Sequence, residues 1–116
     1  MVVQRAHDDD VDRLFRALAD GTRRDIVRRV LLAEESVSDL AARYEMSFAA
    51  VQKHVAVLQR AGLVTKERRG REQIVRGDVE ATRAVRDVLD GYEALWRART
   101  ARMAALLADD EKGTTA

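Results

Sequence analysis

Apolar residues recur at steps of three and four in the middle of the chain, which is the spacing of one face of an α-helix. The repeating positions are Ala50, Val51, His54, Val55, Leu58 and Ala61. Ser47 precedes this run and can accept a hydrogen bond from an amide of the first turn, and Gly62 follows it. The pattern predicts a helix that begins near Ser47 and ends at Gly62, with small or polar residues on its exposed face.

A shorter helix is predicted directly before it, from about Val37 to Arg43. Ser36 followed by Asp39 is a capping-box pattern for the start of this helix. Its apolar side consists of Val37, Leu40, Ala41 and Tyr44. Only three residues, 45–47, separate the two predicted helices, and so short a connection makes them cross steeply, as in a helix-turn-helix.

Two strand-like runs follow Gly62, at residues 63–67 and 73–76, and they flank the segment from Arg68 to Glu72. Gly70 supplies the turn between them. The sequence therefore predicts a mostly α-helical winged helix-turn-helix with about five helices and a small β-hairpin wing. The exposed face of the second helix suits a recognition helix in the major groove of DNA, and the alternative is an ordinary amphipathic helix with a solvated outer face.

Helices are also predicted on both sides of this motif. The apolar positions Val11, Leu14, Phe15 and Leu18 mark a first helix. Asp20 caps a second helix, in which Ile26, Val27, Val30 and Leu31 are predicted to face inward. Residues 1–10 and 109–116 show no such period and are predicted to be a loosely ordered segment and an acidic tail, so that the folded domain covers residues 11–108.

Asp78 caps a long helix predicted from Val79 to about Ala108. A helix of about 30 residues is about 45 Å long, which is more than so small a domain can cover. Its apolar stripe therefore predicts pairing with a second copy of the chain across a two-fold axis. The alternative is that Tyr92 and Trp96 pack only within one protomer.

Composition excludes several classes of protein. The 116 residues contain no cysteine, so disulfides and thiolate metal sites are excluded. No run of about 18 apolar residues occurs and the N-terminus is polar, so we expect a cytoplasmic protein. No convergent acid, base or nucleophile and no phosphate-binding glycine loop is present, so we expect no enzyme activity, no cofactor and no metal. His7 and the neighbouring aspartates are adjacent in sequence and do not converge on one ion.

The net charge of +1 is unevenly distributed along the chain. Residues 43–76 carry 8 basic and 3 acidic side chains, whereas residues 1–42 carry 7 and 9 and residues 77–116 carry 6 and 8. The positive charge is therefore on the predicted helix-turn-helix and wing, which is where a DNA-binding protein meets phosphates.

The sequence resembles the ArsR-type bacterial winged-helix repressors, in the branch without recognisable metal ligands. The resemblance rests on residues 15–26, on Val51 to Leu58, on Ala61 to Val64 and on the arginine-glycine wing, and it extends over about residues 11–108. It implies a homodimer, formed by the first and last helices, that represses transcription at an inverted repeat. Family members that sense metals have cysteines where this chain has Ser36 and Ser38, or histidines on the last helix, which residues 79–108 lack.

The exposed face of the predicted recognition helix, the basic wing and the apolar stripe of the last helix, taken with the resemblance, indicate site residues. The predicted DNA contacts lie on the recognition helix and the wing: Ser47, Phe48, Ala49, Gln52, Lys53, His54, Lys66, Arg68, Arg69 and Arg71. The predicted dimer contacts lie on the first and last helices: Leu14, Val88, Tyr92, Leu95, Trp96, Met103 and Leu106. Phe48 could contact a thymine methyl or pack on the preceding helix. Two alternative functions remain: a repressor switched by a small apolar ligand at the dimer interface, and a winged helix that binds another protein.

Overall fold

The computed structural model describes the backbone of residues 2–114 and the side chains of residues 9–111. In this part of the chain five helices and three strands occur in the order α1 Val2–Leu18, α2 Gly21–Leu32, β1 Glu35–Ser36, α3 Val37–Ala42, α4 Phe48–Arg60, β2 Val64–Arg69, β3 Glu72–Gly77 and α5 Val79–Thr114. The prediction of a mostly helical winged helix-turn-helix with a long last helix is confirmed.

Local side-chain caps begin three of the helices where the sequence predicted them. The Asp20 carboxylate accepts a hydrogen bond from the Arg23 amide at 3.0 Å, ahead of α2. Ser36 Oγ accepts from the Asp39 amide at 3.0 Å, ahead of α3. Ser47 Oγ accepts from the Ala50 amide at 3.1 Å, ahead of α4. Each cap satisfies an amide that has no partner inside its helix.

The wing is a three-stranded antiparallel sheet in the order β1-β3-β2. Strands β2 and β3 form a hairpin that closes at the pair Arg69 and Glu72, and Gly70 makes the turn with a φ of 65°. A side chain at Gly70 would be strained, because L residues rarely adopt this conformation. The sequence did not predict β1, since a strand of two residues is too short to show an alternating pattern.

The first compact unit, Met1–Val85, has one hydrophobic core to which α1 to α4 and the wing all contribute. The side chains with no exposed surface include Ile26, Leu40, Val51, Val55, Leu58 and Val75. Leu31 was predicted to face inward, and that prediction is wrong: its side chain is exposed. It packs instead against Gly77 at the end of β3, where a Cβ atom would lie only 2.6 Å from Leu31 Cδ2.

Several boundaries differ from those read off the sequence. Helix α1 begins at Val2 rather than Val11, because residues 2–10 contain no glycine or proline to stop a helix and the apolar period marks only its packed part. Helix α5 continues to Thr114, beyond Ala108. Residues 43–47 connect α3 to α4, so the connection has five residues rather than three. The side chains of His7 and of residues 112–116 lie outside the described part.

The second compact unit, Arg86–Ala116, contains the remainder of α5 up to Thr114. Its large apolar side chains are exposed, including Leu89, Tyr92, Leu95, Trp96, Met103, Leu106 and Leu107. The Arg99 guanidinium lies 5.8 Å from the centre of the Trp96 ring, which is within the range of a cation–π interaction.

Candidate nucleic-acid interface

One face of α4 is buried and the opposite face is free. Val51, Val55 and Leu58 are three or four residues apart and belong to the hydrophobic core. Because these residues hold one side of the helix against the protein, the side chains of Gln52 and Lys53 project into solvent. An amide and an ammonium group exposed on an anchored helix are suited to hydrogen bonding with base edges or phosphates.

Phe48 and Ala49 are exposed in the first turn of α4. The sequence left two roles open for Phe48, a contact with DNA or packing on the preceding helix. Phe48 is 46% exposed, so about half of the ring remains available for contact. Ser47, the cap of α4, is exposed at the same end of the helix. The N-terminal turn of α4 therefore presents an aromatic ring, a methyl group and a hydroxyl group to solvent.

His54 is half-buried on the flank of α4 and contacts a residue that sequence reasoning did not select. Its Nδ1 lies 3.3 Å from Nη1 of Arg23, in α2. The guanidinium of Arg23 also donates to the backbone oxygens of Ala17 at 2.7 Å and Arg16 at 3.0 Å, at the end of α1. Arg23 thus joins α1, α2 and α4. Only the fold reveals this, because residues 23 and 54 are far apart in sequence.

The arginines of the wing differ in whether they form ion pairs. Arg69 donates to Glu34 at 2.6 Å and to Glu67 at 2.8 Å, and Arg76 donates to the same Glu34 at 3.1 Å. The two carboxylates raise the pKa of Arg69, and the pairing with Arg69 lowers the pKa of Glu34. The charge of Arg69 is therefore already balanced within the protein.

Arg68 and Arg71, at the wing tip, have no ion pair in the part of the chain that the structure describes, and both are exposed. Arg68 Nε donates to the carbonyl oxygen of Gly70 at 3.3 Å. Lys66 is half-buried in β2, closer to the body of the protein. The positive charge that remains available on the wing is therefore concentrated at its tip.

A second polar cluster holds α2 against the C-terminal end of α3. The Asp25 carboxylate accepts hydrogen bonds from the Tyr44 hydroxyl at 2.6 Å, from Arg28 at 2.9 Å and from Arg29 at 2.9 Å. These donors stabilise the charged form of Asp25 and lower its pKa. Burial, together with the bond to Asp25, raises the pKa of Tyr44 to about 12. The cluster fixes the entry into the helix-turn-helix connection.

The residues predicted for the dimer interface are in different surroundings. Leu14 is only 5% exposed and packs in the core of its own protomer, so little of its surface remains for a partner. Val88 is half-buried. The remaining five residues, Tyr92, Leu95, Trp96, Met103 and Leu106, are exposed along α5 in the second unit.

A cavity of about 460 Å³ lies between α1, the end of α4 and the first turns of α5. Its lining combines small apolar side chains such as Ala81 and Ala84 with the charged Arg13, Arg60 and Glu80. Trp96, a residue of the predicted dimer interface at which a small apolar ligand was considered, does not line this cavity. Within the described residues, no cluster of three or more His, Asp or Glu side chains could hold a metal ion, and no helix has the length and hydrophobicity of a membrane span.

Comparison with known proteins agrees with this geometry. The sequence model of the family described as "Bacterial regulatory protein, arsR family" matches residues 20–66. The HTH-type transcriptional regulator Rv2034 of Mycobacterium tuberculosis is 38% identical over 81 residues, which cover 70% of this chain and 76% of that protein.

Two solved structures share the fold. An ArsR-like transcriptional regulator from Rhodococcus sp. RHA1 superposes with a TM-score of 0.71 at 33% identity, covering 82% of this chain and 90% of that one. The homodimeric winged helix-turn-helix DNA-binding domain Mb0332 from Mycobacterium bovis superposes with a TM-score of 0.65 at 26% identity, covering 78% of this chain and 84% of that one. The match of sequence and fold together shows that this chain belongs to the ArsR family of bacterial winged helix-turn-helix transcriptional regulators.

Proposed function

We propose that the protein is a sequence-specific repressor that binds an inverted repeat in double-stranded DNA as a homodimer. The observation that carries the proposal is the exposed face of α4, with Gln52 and Lys53, on a chain whose net positive charge is concentrated in residues 43–76. A helix anchored by a buried stripe can enter the major groove as a rigid body, and the basic wing supplies phosphate contacts beside it.

Residues on α4 and the wing would have separate tasks in this complex. Gln52 can pair with adenine through two hydrogen bonds and Lys53 can donate to guanine, so these two residues read sequence. Phe48 is exposed at the start of α4, where it can contact a thymine methyl group. Arg71, whose charge is not balanced by a neighbouring carboxylate in the described part of the chain, contacts phosphate without selecting a sequence.

The homodimer is supported by the exposed apolar side chains of α5 and by the homodimeric relative from Mycobacterium bovis. Leu95, Trp96 and Leu106 are exposed in a single protomer, and each contributes about 1.5 to 3 kcal/mol when it is fully buried. A two-fold dimer presents two α4 helices to DNA, so the preferred site is an inverted repeat. Its half-site centres are about 10 base pairs apart or a multiple of that distance.

The deciding experiment is DNase footprinting of the intact protein on the promoter of its own gene. We expect protection of an inverted repeat, loss of protection when Gln52 and Lys53 are both replaced by alanine, and repression of a reporter placed behind that promoter. Sedimentation at the same concentration measures the dimer. Binding that ignores sequence would refute specific recognition. Absence of salt-dependent DNA affinity would instead favour a protein-binding role for α4, in which the exposed Phe48 contacts a partner.

A further inference from the structure

The Arg23 side chain is held rigidly at the end of α1. Its Nε donates to the Ala17 carbonyl oxygen at 2.7 Å and its Nη2 donates to the Arg16 carbonyl oxygen at 3.0 Å. Carbonyls in the last turn of a helix lack partners within the helix, and a cation at this end is favoured by the helix dipole. Two hydrogen bonds from one planar group define the orientation of its plane, so the position of the remaining nitrogen, Nη1, is defined as well.

That remaining nitrogen faces the imidazole of the recognition helix. Arg23 Nη1 lies 3.3 Å from His54 Nδ1. A guanidinium group has donors and no acceptor, so in a hydrogen bond between these two atoms Nδ1 is the acceptor and carries no proton. A neutral imidazole then carries its proton on Nε2. A charged imidazole would turn a donor towards a donor and bring two positive charges together.

The Nε2 nitrogen on the other side of the ring reaches solvent. Within the described part of the chain, Nε2 of the half-buried His54 has no hydrogen-bond partner. Every buried side-chain nitrogen or oxygen in that part does have a partner, so Nε2 is not buried. At 100° per residue His54 is one step around α4 from Lys53, on the flank that adjoins α1 and α2. A side chain on the flank of a helix in the major groove faces the groove wall, where phosphate oxygens only accept hydrogen bonds.

We propose that Arg23 is a positioning residue that holds His54 in its Nε2–H tautomer, and that this uncharged imidazole donates a hydrogen bond to a DNA phosphate oxygen. The inference rests on the proposed function, since it assigns one contact in that complex. It adds a residue of α2 that does not touch DNA to the set that determines affinity. It also predicts a phosphate contact that contributes no charge, unlike the contacts made by lysine and arginine.

The tautomer is tested in the free protein by long-range proton–nitrogen NMR spectra of the histidine ring at neutral pH. The chain has two histidines, so His7→Gln leaves His54 as the sole signal. We expect a neutral ring with the proton on Nε2, and a mixture of tautomers in Arg23→Gln. Arg24→Gln is the matched control, because Arg24 also caps α1, through the Leu18 carbonyl oxygen at 2.8 Å, without the bond to His54. A proton on Nδ1, or a charged ring, in the parent protein would overturn the proposal.

The phosphate contact is tested by two substitutions of the same residue. In His54→Asn the amide oxygen takes the place of Nδ1 and keeps the bond to Arg23, but no outward donor remains. In His54→Gln the amide nitrogen reaches the place of Nε2. We expect His54→Asn to bind the operator about ten- to a hundredfold more weakly per half-site, the usual effect of losing one hydrogen bond to a charged acceptor, and His54→Gln to retain most of the affinity.

Salt dependence separates a neutral contact from a charged one. Counterion release follows the number of phosphates that are neutralised by positive charge, so His54→Asn should leave the slope of log affinity against log salt unchanged. A slope reduced by about 1, or operator affinity equal to that of the parent protein, would overturn the proposal. Melting temperatures confirm that each variant is folded. Failure of the parent protein to bind any DNA would refute the proposed function itself, while the NMR result on the tautomer would remain valid.

Discussion

Substitution of the wing arginines tests whether ion pairs inside the protein determine which of these residues contact DNA. Arg69 and Arg71 are two positions apart in sequence, and both were predicted to contact DNA. Arg69 is paired with Glu34 and Glu67, whereas Arg71 has no ion pair within the described residues. We therefore expect Arg71→Ala to remove a phosphate contact and Arg69→Ala to loosen the attachment of the wing to the end of α2.

The magnitudes follow from exposure and charge. The Arg69 and Glu34 side chains are 48% and 39% exposed, so solvent screens their attraction and its loss should lower the folding stability only slightly. Loss of one phosphate contact reduces the slope of log affinity against log salt by about 0.9. Between 50 and 200 mM salt, the affinity of Arg71→Ala should therefore fall by a factor about threefold smaller than that of the parent protein. The reduction should be similar on operator and non-operator DNA, because phosphate contacts carry no sequence information.

The assay is fluorescence anisotropy of labelled operator and non-operator duplexes across that salt range, with urea unfolding of each variant in parallel. Arg71→Lys is the control for charge and should keep the parent slope. Glu34→Gln releases Arg69 and Arg76 from a carboxylate, so it should bind DNA more tightly and with a steeper slope. If Arg69→Ala lowered the slope as much as Arg71→Ala does, the internal pairing of Arg69 would not persist in the complex and the reasoning would be refuted.

Four further results are expected. Gln52→Ala should cost about 1 to 3 kcal/mol on the operator and relax the preference at one base pair, measured with a set of single-base operator variants; an equal loss on all sequences would contradict a reading role. Deletion from Tyr92 onward should abolish the dimer in sedimentation, and a dimer that survived would place the interface elsewhere. Zinc or arsenite should change neither operator affinity nor melting temperature, because the chain has no cysteine and residues 79–108 have no histidine. A change in either quantity would reveal a metal site. The pKa of Tyr44 is raised to about 12, so folding should lose stability between pH 10 and about 12 relative to Tyr44→Phe, and parallel pH profiles would contradict this.

The sequence predicted best those features that depend on neighbouring residues. Asp20, Ser36 and Ser47 each cap an amide three residues further on, a contact that any chain starting a helix there can make. The buried stripe of α4 follows from helical periodicity. The turn at Gly70 follows from the freedom of glycine to adopt a positive φ. These features were sufficient to predict the winged helix-turn-helix and the exposed face of its recognition helix.

Contacts between residues distant in sequence could not be read in the same way. Strand β1 exists only because Glu35 and Ser36 meet β3, 38 to 40 positions later. Leu14 lies in the core of its own protomer. In the sequence, a leucine on the apolar face of a helix looks the same whether that face packs within the protomer or against a partner. Leu31 lies against Gly77, whose lack of a Cβ atom makes this close approach possible, and nothing close to residue 31 in sequence indicates the contact.

The fold class, the helix caps and the segment that carries the positive charge all follow from the amino-acid sequence, because each depends on short-range geometry or on composition. Which of the charges remain available depends on how the chain folds. The folded chain brings Glu34 to 2.6 Å from Arg69 and Arg23 to 3.3 Å from His54, and so it neutralises one arginine of the wing and orients the imidazole of α4. The energy of a charge or a hydrogen-bond donor depends on the groups within a few ångströms, and over 30 or more positions in sequence only the packing of the core determines those groups.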